Sequence, residues 1–600
     1  MILGAMCPMV LGAASAASGA ADTPIEIAVT PSRTTGVAPL GVFFDATATT
    51  SPETSLPFHE LYALWDFDDS GSGTFSYGNP TLNSRNAARG LVAAHLYTAA
   101  GTYTPILTVF DGVNIEQYAE DTITVTSQDA AYPTTSTIVV STSGTFTGKP
   151  TGATEVTESD LGTVLGTHLA NDTRILFRGG ETFSESTSFV ITESRWRIGS
   201  FGTGRAIFSS TIAGELLQLD DAVADGAISG IEFTGNDTAT SVFIGMLSDT
   251  LDQADQITIH DVDAHNCAAL VLVASNDGDC AEWFIHDCAC DTVVGATNQI
   301  RFDGTKFSIQ GCDINGEGTN ESVVRIGFSE KAVISHNRVQ ENVQGWELFA
   351  FRSPSVLVSQ YVIFSDNELV TGTATNPTLQ IGPSDNSKDS DFQDFVIERN
   401  FLRCGTGGGN GMIDMLSLTR GTIRNNLYDA TNENHSAVIF HFFRAIGVNV
   451  CGGNTDVHIY NNTAYFDSAE DPARFVGFGA VAGDAVDTHI YNNIIYAPNA
   501  GTTTYELTSG SSTDTLTGTN TVTTGSGFDA SPSFATSDGA GGGTLTVPND
   551  FKILTGSYAE DTGTDGLKVF EDYFGNIRDW ETPNTDMGFH AFSTGTLPSV

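Results

Sequence analysis

Basic residues are scarce in this chain. Only 25 Lys+Arg stand against 72 Asp+Glu in 600 residues, a formal charge of −47, and the first basic residue is Arg33. A surface this acidic repels a polyanion, and no basic stripe interrupts it, so nucleic acid is excluded as a partner. An anionic membrane surface is disfavoured for the same reason. Long apolar runs are also missing beyond the N-terminus, so no segment reads as a bilayer span. Cysteine is sparse, 8 in all and without a CxxC pair, which removes a disulfide scaffold and leaves a structural zinc site little support. Helical periodicity of three turns is absent from the repeated part of the chain. What is abundant is Gly (63), Thr and Ser, a mixture that favours short strands and turns.

Residues 1–21 are apolar and rich in small residues, with Ala14-Ser15-Ala16 at the place of a cleavage site. They lack the basic start of a signal peptide, so a leader and an uncleaved anchor both stay open.

Residues 22–127 read as short alternating strands separated by turns at sandwich spacing. Within them lie Tyr62-Ala63-Leu64-Trp65-Asp66-Phe67-Asp68-Asp69, His95-Leu96-Tyr97, Gly101-Thr102-Tyr103 and Leu107-Thr108-Val109. This series resembles the PKD domain, an immunoglobulin-like β-sandwich, with Asp68 where that family usually carries Gly. The resemblance implies a core filled by Trp65 and Phe67 and a corner fastened by His95 and Tyr97. It also implies a spacer or docking role, through which other particle proteins could be engaged. Residues 128–149 read as a linker.

From 150 to 592 one pattern recurs. ITIHD, WFIHD, FSIQG, VISHN, IFSDN, VIERN, TIRNN, HIYNN and HIYNN each run an apolar strand into a small polar residue, and AISG precedes them. The last residues form a series: Asp261, Asp287, Gly311, Asn337, Asn367, Asn400, Asn426, Asn462, Asn493. Their spacing, 24 to 36 residues, is that of stacked repeats. Short strands broken once per repeat make a coil that pairs in parallel with the next, rising about 4.8 Å each time. Asn at a fixed corner takes the left-handed backbone and can bond the amide of the adjacent coil. All nine residues are expected on one line. Cys288 and Cys312, each following the corner, are expected to stack, either as a disulfide or as reduced thiols. His260, His286 and His336 are read as one column before the corner.

This grammar resembles the right-handed parallel β-helix superfamily that includes pectate lyases, polygalacturonases and phage tailspikes. ILFRGGETFS (175–184) looks like its first coils. DYFGNIRDWETPNTDMGFHAF (572–592) looks like its closing segment, with 593–600 as a tail. The expected fold is therefore all-β: an Ig-like (PKD) sandwich followed by a right-handed parallel β-helix of about ten coils.

Chemistry is harder to place. The Asp pair and Gly-His-Gly of polygalacturonases are absent, as is the Arg-x-Pro-x-x-Arg of pectate lyases. FRSPS (351–355) retains Arg352 and Pro354 only, which makes Arg352 the catalytic candidate. Arg325, Lys331, Arg399, Arg403 and Arg424 are further bases able to meet an acidic sugar. Asp385, Asp389 and Asp391 alternate as oxygen ligands of a calcium loop would, without the Gly and Glu of an EF-hand. Tyr465, Phe466 and Tyr496 are expected to offer flat faces to sugar rings, whereas Tyr460 and Tyr491 read as core. The reading is a surface-exposed or virus-particle-associated protein, a homotrimer in its tailspike-like form, that binds a polysaccharide or cell-surface glycan or reinforces an assembly. The alternative is a secreted polysaccharide lyase or hydrolase with an accessory PKD domain. Either places the chain outside the cell or on a particle surface.

Overall fold

The computed structural model describes residues 24–598 apart from 237–240, 247–253, 274–279, 293–297, 317–320, 342–345, 353–356, 372–376, 383–391, 404–411, 431–437, 443–453, 467–472, 479–484, 497–502, 508–515, 520–521, 526–527, 530–546, 555–556, 558, 561–568, 580–585 and 592–594. The apolar N-terminal segment and the proposed calcium loop with Asp385, Asp389 and Asp391 lie outside the described residues. Among the described residues no helix is long and apolar enough to cross a membrane.

The N-terminal part forms three small sheets. Leu40–Asp45 pairs with Thr30–Pro31 and Val92–Tyr97; Ile123–Thr126 pairs with Thr35–Val37 and Gly101–Tyr103; and Tyr62–Asp66 lies between Ala87–Arg89 and Ile106–Phe110, with Ile115–Ala119 at the far edge. These have the form of a β-sandwich. Trp65 and Phe67 are buried and pack on Phe44, and the indole N–H donates to Gly90 O at 2.9 Å. His95 Nε2 meets Asp69 Oδ2 at 3.0 Å, and the Tyr97 hydroxyl donates to Phe67 O.

Every described strand from Thr137–Ser141 to Phe528–Asp529 belongs to one 37-stranded sheet wound as a parallel β-solenoid. It begins earlier than the sequence suggests. Thr137–Ser141, inside the expected linker, pairs in parallel with Thr154–Thr157 and Arg174–Arg178. One column of strands continues through Trp196–Phe201, Ala224–Thr234 and Asp255–Cys267 and ends at Leu516–Thr519.

The repeated words of the sequence have a definite geometry in this column. Each four-residue strand is bracketed by two left-handed residues five apart: Gln256 and Asp261, Glu282 and Asp287, Lys306 and Gly311, Lys331 and His336, Tyr361 and Asp366, Asp394 and Arg399, Arg420 and Asn425, Asp456 and Asn461. Their φ values lie between 50° and 70°, a conformation costing a non-glycine residue about 1 kcal/mol or more. Parallel pairing with the coil on either side holds that cost in place. Between the corners the first and third residues point inward, as Val457 and Ile459 do, and the second and fourth point outward.

This corrects the expected single line of corners. Asp261, Asp287 and Gly311 are left-handed corners, but Asn337, Asn367, Asn400, Asn426, Asn462 and Asn493 sit one residue past theirs, at His336, Asp366, Arg399, Asn425, Asn461 and Asn492. The Asn side chains stack instead. Asn426 Oδ1 accepts from the backbone N–H of Asn400 at 2.9 Å and from its Nδ2 at 3.0 Å. Asn426 donates in turn to Asn462 Oδ1 and to Ile397 O. Asn337, Asn367, Asn462 and Asn493 repeat the arrangement. Cys288 and Cys312 hold the same column on the preceding coils. The N–H of Cys312 donates to Asn337 Oδ1, and its thiol, like that of Cys288, donates to the carbonyl an Asn amide would use. Both are free thiols, so the stack is reduced. The supposed histidine column is broken as well: His260 and His286 align with Gln310 and Ser335, while His336 is a corner.

Replacing Asn426 by Leu strands donors and acceptors on both neighbouring coils. The expected loss is about 1–3 kcal/mol. The same change at exposed Asp221 is expected to stay within about 0.5 kcal/mol. Urea unfolding of both variants checks this, and equal midpoints would show that the stack contributes nothing.

The outward positions explain how the two parts meet. On four of five successive coils the second residue of the strand is apolar: Phe284, Val333, Ile363 and Val396, with Ser308 between the first two. All four are buried in one cluster with Leu40, Val42, Phe44, Val92 and Ala94. Alternation fails there because the strands are covered on both faces. Gly41 permits the approach, since a Cβ there would lie 2.2 Å from the Phe284 ring. Ion pairs rim the contact, Arg85 to Asp287, Lys331 to Asp45 at 2.7 Å and Arg89 to Glu571, and His59 Nε2 lies 3.1 Å from Asp394 Oδ1.

The closing segment behaves as a strap rather than a final strand. Tyr573, Met587 and Phe589 pack on Phe401, Leu427, Tyr465, Ile494 and Tyr496. Buried Arg578 donates to Asp586 O, Gly588 O and Asn425 Oδ1, and Asn461 Nδ2 donates to Asp586 O. The doubled Asn of the repeat thus divides its work: the first turns the chain and ties the strap, and the second stacks.

Candidate functional site

A second column of short strands, Phe349–Phe351, Leu379–Ile381, Ile413–Met415 and Val438–Phe442, forms another face of the solenoid and continues the starts of Ile300–Gln310 and Val324–Ser335. Apolar residues flank each central position and point inward, as Ile413 and Met415 do. The central residues therefore point out. In register they are Arg301, Arg325, Ala350, Gln380, Asp414 and His441.

Arg301, Arg325 and His441 are partly exposed, but Gln380 and Asp414 are sequestered. Asp414 is 1% exposed and Gln380 7%. Outward polar groups with so little exposure line a recess rather than a convex surface. Burial pushes the Asp414 carboxyl up to about 6, against the pull of His441, and Glu347 and Arg352 lie close enough to act on it in opposite directions. His441 Nδ1 approaches Asp414 Oδ1 at 3.3 Å. Two coils earlier, Glu347 accepts from Arg352 at 2.6 Å and from Ser322 at 3.0 Å.

Three guanidinium groups gather at the other end. Arg301 and Arg325 occupy adjacent coils, and burial, then Arg301 and Arg352, depress the pKa of Arg325. The Nε atoms of Arg301 and Arg325 are buried without a hydrogen-bond partner. Asp303, beside them, is pushed up to about 7 by burial. Trp346 lies at the rim with half its surface exposed, its ring 5.7 Å from the Arg352 guanidinium carbon. Perturbed carboxyls, unspent donors and an exposed indole together make this the candidate site.

Of the residues singled out from sequence, Arg352 and Arg325 fall in this recess. The other bases do not. Arg399 is buried between Asp366 and Glu398, Arg424 pairs with Glu398, Lys331 with Asp45 and Arg403 with Asp429. Tyr465, Phe466 and Tyr496 are buried, so they present no face to a sugar. Tyr465 and Tyr496 stack on each other under the closing strap, and Phe466 joins the solenoid core. The strand-to-corner step that draws aromatics near the turn also hides them once the strap is laid down.

Arg301, Glu347, Trp346, Gln380, Asp414 and His441 were not legible as a site. One signal was available: Arg301 and Arg325 stand 24 residues apart, one coil length, which places two arginines side by side.

The sequence matches no family model and no curated relative. Solved structures with which the fold shares likeness include the catalytic domain of a GH87 α-1,3-glucanase in complex with nigerose, with 12% identity and a TM-score of 0.32 over 80% of this chain and 91% of that one. Pectate lyase Pel9A gives 11%, 0.32, 76% and 96%. The A-module of an Azotobacter vinelandii mannuronan C-5 epimerase gives 10%, 0.31, 60% and 93%. Likeness this distant carries no functional argument; the parallel solenoid rests on the strand pairing itself.

Proposed function

We propose that the chain binds an acidic polysaccharide along this recess and carries out acid–base chemistry on it. The observation that carries the reading is the cluster of Arg301, Arg325 and Arg352 beside the Asp414–His441 pair. In a chain with charge −47, Arg325 is repelled by both Arg301 and Arg352, its pairing with Glu321 and that of Arg352 with Glu347 only partly offset this, and the unpartnered Nε donors of Arg301 and Arg325 suit an anionic ligand. The acidic remainder of the surface does not defeat this, because charges more than about 8 Å away are largely screened at physiological salt. Coils repeating about every 4.8 Å suit a periodic polymer, and the Trp346 ring offers a flat face to a sugar. Asp414, titrating near 6, can give or take a proton close to neutral pH. The setting that goes with this reading is extracellular or a virus-particle surface, where such polymers are met.

Titration of uronate-containing and neutral oligosaccharides against the wild type, Arg325→Ala and Arg352→Ala tests it. A charge-assisted hydrogen bond of about 1.5–3 kcal/mol corresponds to roughly 10- to 100-fold in affinity. Each variant is expected to lose that much for the acidic ligand. Equal affinity for acidic and neutral ligands, or no loss in either variant, would remove the proposal.

A further inference from the structure

The sheet that receives the N-terminal part changes character beyond it. The second strand residue is apolar from Val333 through Val396, becomes Thr422, and is then histidine on two consecutive coils, His458 and His489. These are the histidines of the repeated His-Ile-Tyr-Asn-Asn. In register, their imidazoles stack with centroids 4.4 Å apart and planes 17° from parallel. Asp456, at the left-handed corner two residues before His458, places Oδ1 2.9 Å from His458 Nε2. One donor atom from each of the three side chains lies within 4.8 Å of the others.

We propose that Asp456, His458 and His489 form a binding site for a divalent transition-metal ion of the zinc class. Two imidazoles and a carboxylate are the donor set such ions take, with a position left open for water. Tetrahedral coordination needs donors roughly 3.3 Å apart, from metal–ligand distances of about 2.0–2.1 Å. Asp456 and His489 are partly exposed, so modest side-chain rotation closes the set. The backbone is already fixed: the corner sets Asp456, and parallel pairing sets the two histidines one coil apart.

The state of His458 supports the assignment. Its Nδ1 is buried without a hydrogen-bond partner, so the imidazole is one partner short. The guanidinium that shares this cleft is committed elsewhere. Arg420, one coil away, donates to Asp394 at 2.7 and 2.8 Å and to Gln393 at 3.0 Å. His59 is likewise committed, to Asp394 and Thr422. Asp456 and His458 also border the small cleft that holds Leu56 and His59, so an ion here would sit at the edge of the contact between the N-terminal part and the solenoid.

The test is calorimetric titration of the chelator-stripped full chain with zinc chloride, paralleled by cobalt(II) absorption. The wild type is expected to bind one ion here, with the visible bands of a nitrogen-ligated cobalt. His458→Gln and His489→Gln are each expected to weaken binding by at least 10- to 100-fold, the range lost when even an outer partner of a metal ligand is removed. Asp456→Asn, at a partly exposed corner, keeps the test intact if a histidine variant fails to fold, and is expected to weaken binding in the same direction. Zinc affinity and cobalt spectra unchanged in these variants, or a wild type that binds no ion, would overturn the site.

Discussion

Arg399→Ala is expected to destabilise the protein by about 3–5 kcal/mol, the range for leaving buried charge uncompensated. Arg399 is buried with Asp366 on one side, at 3.0 and 3.1 Å, and Glu398 on the other, at 2.7 Å. Burial alone would lower its pKa; the two carboxylates outweigh that and hold it well above the ordinary value. Both carboxylates are in turn held below theirs, although burial pushes the other way. Removing the guanidinium leaves two buried anions. Glu398 keeps Arg424 at 2.7 Å, but Asp366 keeps only neutral partners among its hydrogen bonds, such as Asn79 Nδ2. Arg399→Lys is expected to recover only part of the loss, since an ammonium cannot form the forked contact.

The pH dependence has a definite sign. Carboxylates with depressed folded pKa stabilise above their unfolded pKa, about 4, and that share fades as pH falls through the folded value. In Arg399→Ala the same carboxyls gain stability on protonation. The gap between wild type and variant should therefore shrink as pH falls from 7 to 4 in urea titrations. A gap below about 1 kcal/mol at pH 7, or one that widens on acidification, would show that the network is not what joins these coils.

Asp414→Asn is expected to reduce turnover of an acidic polysaccharide by about 10²- to 10⁴-fold, the contribution typical of a positioned acid or base. Asn keeps the shape and loses the proton. The wild-type rate is expected to show a limb with an apparent pKa near 6, from the Asp414 carboxyl raised chiefly by burial, and Asn removes that limb. Binding is expected to survive, because the guanidinium groups that hold the polymer are untouched. A change in affinity equal to the change in rate would assign Asp414 to binding instead.

The sequence carries much of this fold and little of the site, for physical reasons. A strand that repeats once per coil must show its period, so the solenoid is legible from ITIHD to HIYNN. Register is less so. Asp261, Asp287 and Gly311 look like corners because they favour the left-handed backbone. On later coils His336 and Arg399 take that role with no local mark, and the Asn beside them draws the eye one residue too far. The Cys288–Cys312 stack was legible as stacking, while its redox state was not. The recess depends on residues from different coils, joined by connections of unequal length. Asp414 meets His441 only because two coils align them across 27 residues, while Gln380 stands 34 residues before Asp414. Nothing in either strand alone announces that pairing. Arg352 was reached through a fragment of a motif, yet its place is set by Glu347 and Trp346.

The most direct measurement is product formation from a panel of uronate-containing polysaccharides and their neutral counterparts, read as new reducing ends and as ultraviolet absorbance of unsaturated uronates, for wild type and Asp414→Asn side by side. Product is expected from an acidic polymer with the wild type, nearly none with Asp414→Asn, and none from the neutral polymers. Turnover of neutral polymers alone, or equal product from wild type and Asp414→Asn, would contradict it.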